Sequence, residues 1–244
     1  MVTVAERPIH TVRIVHSFGD MDTVGPSFTH PPRQHHSPSA FFLREALGNF
    51  REVGAVAPSS AALARALSAP VELHRTPRTV LEVGAGTGAV TAALVDRLGA
   101  ADRLDIVESN PRFAAELQAV YARTHLEGGP RIRVRCARIE LLHSTFAYDL
   151  IVSGLPFANF EPNLVETIVD RYQDLLTPEG SLTYFSYLGT RRIRSLTASR
   201  SDALRHRAVE EALARYRQGF EATRRTVWAN MPAAHVWHLR GIES

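Results

Sequence analysis

A short apolar run at residues 79–83, TVLEV, leads directly into three alternating glycines, Gly84, Gly86 and Gly88. The run has the length and the β-branched content of a buried strand, and a helix is predicted to follow over 88–98. Glycines at such a junction permit a tight turn and let backbone amides approach a ligand at the helix N-terminus. The segment therefore predicts a strand, a turn and a helix, with a ligand site at the turn.

The rest of the chain repeats this alternation. Strands are predicted at 79–83, 104–108, 131–135, 148–152 and 181–187, and helices at 88–98, 111–124 and 161–175. Alternation of this kind implies an α/β fold with a mostly parallel sheet and helices on both faces. The last part differs, because a helix near 202–217 precedes two long strands around Met231 and Pro232. These strands are predicted to form an antiparallel hairpin, which brings the sheet to seven strands.

The N-terminal part of the chain has a different character. Residues 1–38 are rich in His, Pro, Ser and Thr and show no sustained period, so we expect a poorly ordered tail followed by one domain over 39–244. Helices are predicted within 39–70 and are expected to cover the ligand site. The first is FFLREALGNF at 41–50, whose apolar residues share one face, and the second begins after a serine cap near Ser59.

The composition limits the class of protein. With 45% hydrophobic residues the chain can bury a sizeable core, and no apolar run approaches the roughly 20 residues of a membrane-spanning helix. A single cysteine, Cys136, excludes an intrachain disulfide, so we expect a reducing cytosol and a small buried side chain at that position. No metal site is expected, since the histidines of the tail have no carboxylate or cysteine beside them.

The positive charge has an unusual make-up. All 28 basic residues are arginines, which indicates the codon usage of a GC-rich bacterial genome, and they crowd the segments 131–138 and 191–225. Such surfaces could attract the phosphates of a lipid or a nucleic acid, or could be solvated helix faces with intrahelical ion pairs.

The glycine turn fits two kinds of cofactor when it is taken alone. Gly84-x-Gly86-x-x-Ala89 would pass as a dinucleotide fingerprint. Glu82 disfavours that interpretation, because a carboxylate just before the turn would repel a pyrophosphate but not a cationic amino acid group. With Gly88 the pattern becomes E-x-G-x-G-x-G, which resembles the first motif of class I S-adenosylmethionine (SAM)-dependent methyltransferases.

The resemblance implies a Rossmann-like fold, SAM as the cofactor and a set of cofactor-binding positions. Glu108, at the end of the second strand, would accept both ribose hydroxyls. The residues assigned to the cofactor are Ser59, Glu82, Gly84, Ala85, Gly86, Gly88, Glu108, Ser109, Ala137, Arg138, Ser153 and Gly154. Many members of the family place an acid after the third strand. It is missing from 135–138, so backbone groups or Glu140 would take its part.

The loop after the fourth strand, SGLPF at 153–157, resembles the N-L-P-Y sequence of methyltransferases that act on amino nitrogens. Ser153 stands in place of the usual Asn or Asp. The resemblance implies backbone carbonyls that accept hydrogen bonds from the amine and an aromatic face that packs on it. The candidate residues for this part of the reaction are Ser153, Leu155, Pro156, Phe157, Tyr184 and Tyr187, and no residue stands out as a general base.

Two segments resemble the bacterial phospholipid N-methyltransferases, a branch related to the rRNA adenine dimethylases. GAVAPSS at 54–60 precedes the glycine turn, and the S-x-L-P loop follows the fourth strand. The resemblance implies methylation of phosphatidylethanolamine or its monomethyl and dimethyl forms, by a cytoplasmic protein that associates peripherally with the inner membrane face. The helix at 41–50 would then insert apolar side chains at the interface, unless those side chains cover the SAM pocket instead.

Two other functions stay open. A soluble methyltransferase that tailors a small molecule at nitrogen or oxygen would suit the variant Ser153 loop and the missing acid. The arginines suggest an RNA methyltransferase as a third function. We nevertheless expect no nucleic-acid partner, because the helical RNA-binding appendage of the dimethylases has no counterpart in the sequence.

Overall fold

A computed structural model describes residues 59–73, 77–121, 129–188 and 200–241 of the 244-residue chain. The tail predicted at 1–38 and the helix predicted at 41–50 lie outside the described residues, so both stay predictions.

The elements of the described ranges follow the predicted order. The helices are α1 (Ala61–Ser68), α2 (Ala89–Val95), α3 (Pro111–Tyr121), α4 (Pro162–Leu175) and α5 (Arg200–Arg217). The strands are β1 (Thr79–Val83), β2 (Arg103–Glu108), β3 (Arg131–Cys136), β4 (Tyr148–Ser153), β5 (Leu176–Tyr187), β6 (Phe220–Val227) and β7 (Ala234–Gly241). Short 3-10 turns at Ala69–Leu73, Ile139–Leu141 and Phe157–Asn159 follow α1, β3 and β4.

Two boundaries differ clearly from the prediction. β5 begins at Leu176 instead of 181, because the chain leaves α4 directly into a strand whose first residue pairs with Tyr148. The pairing is irregular there and resumes between Leu150 and Ser181. The helix predicted to reach 98 ends at Val95.

The sheet has the strand order β3-β2-β1-β4-β5-β7-β6. β1 to β5 are parallel, and β7 is antiparallel to both β5 and β6, which confirms the mostly parallel sheet and the hairpin. The parallel strands therefore end at one edge, here called the carboxyl edge, where β1, β2 and β4 finish at Val83, Glu108 and Ser153. Ligands of open parallel sheets bind at this edge.

Helices cover both faces of the sheet, as predicted. Leu67 of α1, Leu94 of α2 and Leu117 of α3 share one buried cluster with Val80 of β1. The next strand residue, Leu81, points the other way and packs with the apolar residues of α4 and α5. Each central strand thus buries its alternate side chains in two different cores, which explains its nearly continuous apolar sequence.

The prediction that Cys136 is buried is wrong. The side chain of Cys136 is exposed. The physical reason is its position at the end of β3, an edge strand with β2 on one side only.

Membrane-spanning helices and clusters of metal ligands are both absent from the described ranges. No helix there combines the length and the apolar character that crossing a membrane would require. No three side chains among His, Cys, Asp and Glu come together there as a potential metal site.

Candidate functional site

The glycine turn after β1 has the backbone conformation that its sequence predicts. Gly84, Gly86 and Gly88 have φ values of 74°, 54° and 86°, a left-handed region that residues with a side chain rarely adopt. A side chain at Gly86 would project into open space. The turn therefore leaves room for a ligand beside its backbone, directly before α2.

The turns after β1 and β4 touch each other through their backbones. Gly154 N–H donates to the Val83 carbonyl at 2.8 Å, and Gly84 N–H donates to the Val107 carbonyl at 2.8 Å. A Cβ atom built on Gly154 would lie 2.6 Å from the Gly84 carbonyl oxygen. Glycine is thus required at position 154, because any side chain there would prevent the close contact between the two turns at the carboxyl edge.

Glu108 joins the glycine turn to the start of α3. Its Oε2 accepts a hydrogen bond from Gly86 N–H at 2.8 Å, and its Oε1 accepts one from Asn110 N–H at 2.7 Å. A carboxylate offers about four acceptor positions, so two remain for a ligand. Asn110 caps α3, because its Oδ1 accepts from Arg112 N–H at 2.9 Å.

Glu82 is a buried carboxyl group that forms no ion pair with a described residue. Its side chain is fully enclosed, and neither oxygen accepts a hydrogen bond from a described residue. Burial raises the pKa of Glu82 to about 8, with a smaller contribution from the charge of Glu108, while the nearby hydroxyl and amide of Thr91 oppose the rise. A cation placed beside this group would restore its ionised form.

The raised pKa of Glu82 makes the stability of the fold depend on pH. The unfolded chain releases this proton near pH 4.5 and the folded chain near pH 8, so the contribution of Glu82 falls as the pH rises between the two values. We expect Glu82→Gln to remove a slope of up to ~1.4 kcal/mol per pH unit in the free energy of unfolding. Urea denaturation of both proteins across this range is the measurement, and parallel pH profiles would contradict the assignment.

An open cleft, about 420 Å³ when the solvent at its mouth is included, lies beside the turns at the carboxyl edge. Its lining residues are Val83, Gly84, Val107, Ser109, Ala137, Arg138, Ile139, Glu140, Leu155, Phe160, Leu164 and Ile168. Four residues assigned to the cofactor from the sequence, Gly84, Ser109, Ala137 and Arg138, are among them. Glu140 also lines the cleft and forms an ion pair with Arg138. The cleft is therefore apolar at its walls and charged at one rim.

The apolar wall was not anticipated. Phe160, Leu164 and Ile168 come from the turn after β4 and from α4, and their spacing is that of an ordinary buried helix face. No signal in the sequence separates an apolar helix face that lines a cleft from one that only fills a core.

Most of the hydrogen-bonding groups in the loop after β4 are paired with neighbouring residues. Ser153 is buried, and its Oγ accepts hydrogen bonds from the Tyr172 hydroxyl at 2.9 Å and from Leu155 N–H at 3.4 Å. The Leu155 and Pro156 carbonyls accept from the amides of the following 3-10 turn at 3.0 Å and 2.9 Å. No described residue donates to the Gly154 carbonyl, so its hydrogen-bonding capacity is not used by the described residues.

The predicted aromatic residues lie at different depths. The Phe157 ring is buried and packs edge-on against Tyr184 at 5.8 Å and against Phe160 at 6.2 Å, so Phe160 is the ring that lines the cleft. Burial raises the pKa of Tyr184 to about 12, although its hydroxyl accepts from Arg217 at 2.6 Å. Tyr184 is thus no base near neutral pH. Tyr187 packs with Phe185 on the other face of the sheet.

The remaining assigned residues do not line the cleft. Ser59 is half-buried just before Ser60, whose Oγ caps α1 by accepting from Leu63 N–H at 3.2 Å. Ala85 and Gly88 are buried within the glycine turn. The contacts of these residues with a cofactor stay predictions.

The comparisons with known proteins agree with this geometry. Residues 80–180 match the family described as the methyltransferase domain, a span that includes both the glycine turn and the loop after β4. Over this span the chain carries a methyltransferase domain, which supports the expected SAM-dependent methyltransferase activity. The methyltransferase has 28% identity over 144 residues with an ornithine lipid N-methyltransferase from Singulisphaera acidiphila. The alignment covers 57% of this chain and 73% of that relative.

Solved structures share the fold of the methyltransferase. The 1,6-didemethyltoxoflavin-N1-methyltransferase of Burkholderia thailandensis, solved with S-adenosylhomocysteine, superposes with a TM-score of 0.57 at 19% identity, covering 88% of this chain and 94% of that one. The plantazolicin methyltransferase BpumL, solved with SAH, gives 0.51 at 15% identity, with 85% and 92% coverage. The expected fold, enzyme class and SAM cofactor are thus confirmed.

Proposed function

We propose that this methyltransferase transfers the methyl group of SAM to the amine nitrogen of a membrane lipid, phosphatidylethanolamine or a related phospholipid. The similarity to an ornithine lipid N-methyltransferase is the observation that carries the proposal. The loop after β4 supports it, because the Gly154 carbonyl, to which no described residue donates, suits an N–H donor, and the loop at 153–157 contains no ionisable side chain.

The described residues suit SAM in their chemistry. The two acceptor positions that remain on Glu108 suit a pair of ribose hydroxyls, and the unpartnered carboxyl of Glu82 suits an ammonium group. The apolar wall around Ser109, Ala137 and Ile139 suits a flat base. SAM supplies a methyl group on a sulfonium centre that an uncharged amine can attack directly.

The protein has to align the amine and keep it unprotonated. The attacking nitrogen forms a bond to the methyl carbon while the carbon–sulfur bond breaks, and only the uncharged amine has the electron pair for this step. The apolar wall of the cleft lowers the pKa of an ammonium that enters it. The Gly154 carbonyl would orient the N–H group, so that catalysis consists mainly of positioning and water exclusion.

Replacing Pro156 with Ala tests the role of the loop. Pro156 begins the 3-10 turn after β4, and its ring fixes the backbone that presents Gly154. We expect turnover to fall by about ten- to a hundredfold with little change in SAM affinity, since small misplacements of an acceptor cost this much. Pro178→Ala is the matched control, because Pro178 is exposed in β5 near the opposite edge of the sheet. Reduced SAM affinity with normal turnover would place the loop in the cofactor site instead.

The acceptor itself is tested with methyl-labelled SAM and vesicles that contain phosphatidylethanolamine. Phosphatidylglycerol vesicles are the control, because that lipid has no amine. Label in the organic extract from the first vesicles alone supports the proposal, and chromatography then shows how many methyl groups were added. Label only in a water-soluble amine or hydroxyl acceptor would replace the lipid function with that of a small-molecule N- or O-methyltransferase.

A further inference from the structure

Large apolar side chains are exposed at the same edge of the sheet as the cleft. In the described part of the chain, the exposed large apolar residues at the carboxyl edge are Leu141, Leu204, Trp228 and Met231, and those at the opposite edge are Leu73 and Val120. Leu141 lies in the turn after β3. Leu204 precedes Arg205, which donates to the Asn159 carbonyl in the turn after β4.

Two of these residues lie in the hairpin tip, defined as residues 228–233 between β6 and β7. Trp228 is 76% exposed and Met231 is 87% exposed. The tip lies at the carboxyl edge, because β7 begins at Ala234 opposite Tyr187, the last residue of β5. Water solvates a tryptophan and a methionine poorly, so the exposure of both in one hairpin tip indicates a surface that another phase or molecule covers.

The hairpin tip is held in place by its own buried residue. Asn230 is 7% exposed, and its Oδ1 accepts a hydrogen bond from Ser60 N–H at 3.1 Å. Its Nδ2 donates to the Pro232 carbonyl at 2.8 Å, and Leu188 N–H donates to the Ala233 carbonyl at 2.6 Å. The tip is therefore fixed to α1 and to the end of β5, with Trp228 and Met231 turned outward on either side of Asn230.

Positive charge accompanies the apolar tip. Arg224 and Arg225 lie on the exposed strand β6, a few residues before Trp228. Neither forms an ion pair with a carboxylate of the described residues, although the Arg224 guanidinium lies 5.5 Å from the Trp237 ring. Tryptophan with flanking arginines is the combination that favours the interface of an anionic lipid bilayer, where apolar and charged groups meet different layers.

We propose that the hairpin tip anchors the methyltransferase on anionic membranes. Trp228 and Met231 enter the boundary between headgroups and acyl chains, and Arg224 and Arg225 contact lipid phosphates. The carboxyl edge then faces the bilayer, which brings the mouth of the cleft to the level of the headgroup amines. This anchor rests on the proposed lipid function, because it gives the lipid substrate its route to the site.

Vesicle flotation of the full chain tests the anchor. The double variant Trp228→Ala/Met231→Ser should bind phosphatidylethanolamine–phosphatidylglycerol vesicles at least about tenfold more weakly, since it removes most of the inserted apolar area. Leu73→Ala, which removes an equally exposed apolar side chain from the opposite edge, should bind like the wild type. Unchanged circular dichroism and SAM affinity show that the double variant is folded. Equal vesicle binding by all three proteins would overturn the anchor.

A second measurement separates the anchor from the lipid function. The double variant should methylate dispersed short-chain phosphatidylethanolamine like the wild type and lose activity on vesicles only. If lipid is methylated but the variant works equally on vesicles, the anchor is wrong and the function stands. If no lipid is methylated while vesicle binding still depends on the tip, the function is wrong and the anchor stands. If the tip variant abolishes self-association of the protein instead of vesicle binding, a second copy covers the tip and the anchor is wrong.

Discussion

Glu108→Ala should weaken SAM binding by about a hundredfold or more, because the proposed site gives Glu108 two charge-assisted hydrogen bonds to the ribose, at about 1.5–3 kcal/mol each. The substitution also leaves the Gly86 and Asn110 amides without the carboxylate that joins them, at 2.8 Å and 2.7 Å in the folded protein. The glycine turn and the start of α3 would then lose their common anchor. Titration calorimetry with SAM is the measurement.

Two further variants make the Glu108 experiment specific. Glu116→Ala removes an exposed glutamate of α3. Glu116 forms an ion pair with Arg112, and its loss should leave SAM affinity unchanged. Glu108→Gln keeps one oxygen acceptor and should fall between the wild type and Glu108→Ala. If Glu108→Ala bound SAM with wild-type affinity, the assignment of Glu108 to the ribose hydroxyls would be wrong.

Gly154→Ala should impair both stability and cofactor binding. The added Cβ would lie 2.6 Å from the Gly84 carbonyl oxygen, which belongs to backbone and cannot rotate away. Forcing the two turns apart should lower the free energy of unfolding by about 1–3 kcal/mol. It should also reduce SAM affinity, because Gly84 lines the cleft. Urea denaturation and calorimetry measure the two effects.

Gly99 supplies the matched control for this substitution. A Cβ built on Gly99 meets no atom within 4 Å, so Gly99→Ala should leave SAM affinity unchanged and the stability nearly so. If Gly154→Ala behaved like Gly99→Ala, the close contact between the turns after β1 and β4 would contribute to neither SAM affinity nor stability.

The parts of the site that the sequence predicted correctly depend on local physics. Three glycines after a strand specify a left-handed turn, and an acid at the end of the next parallel strand has to meet that turn at the same edge. The hairpin could be predicted because two long strands with a short connection leave no room for a crossover.

The parts that could not be predicted depend on contacts between distant segments. The Tyr172 hydroxyl that holds Ser153 comes from α4, and nothing near Ser153 in the sequence indicates it. The early start of β5 was hidden by Pro178 and Gly180, which are typical of turns. The burial of the Phe157 ring depends on Tyr184, a residue of the neighbouring strand.

Identifying the atom to which the transferred methyl group is bonded tests the central claim most directly. Carbon-13 methyl-labelled SAM would be incubated with the protein and phosphatidylethanolamine vesicles, and the extracted lipid examined by NMR. We expect the resonance of a labelled methyl group that is bonded to the headgroup nitrogen. This resonance should be absent when the Glu108→Ala variant replaces the wild type at limiting SAM. A lipid extract without label, or a label bonded to oxygen, would contradict methylation of a lipid amine by this protein.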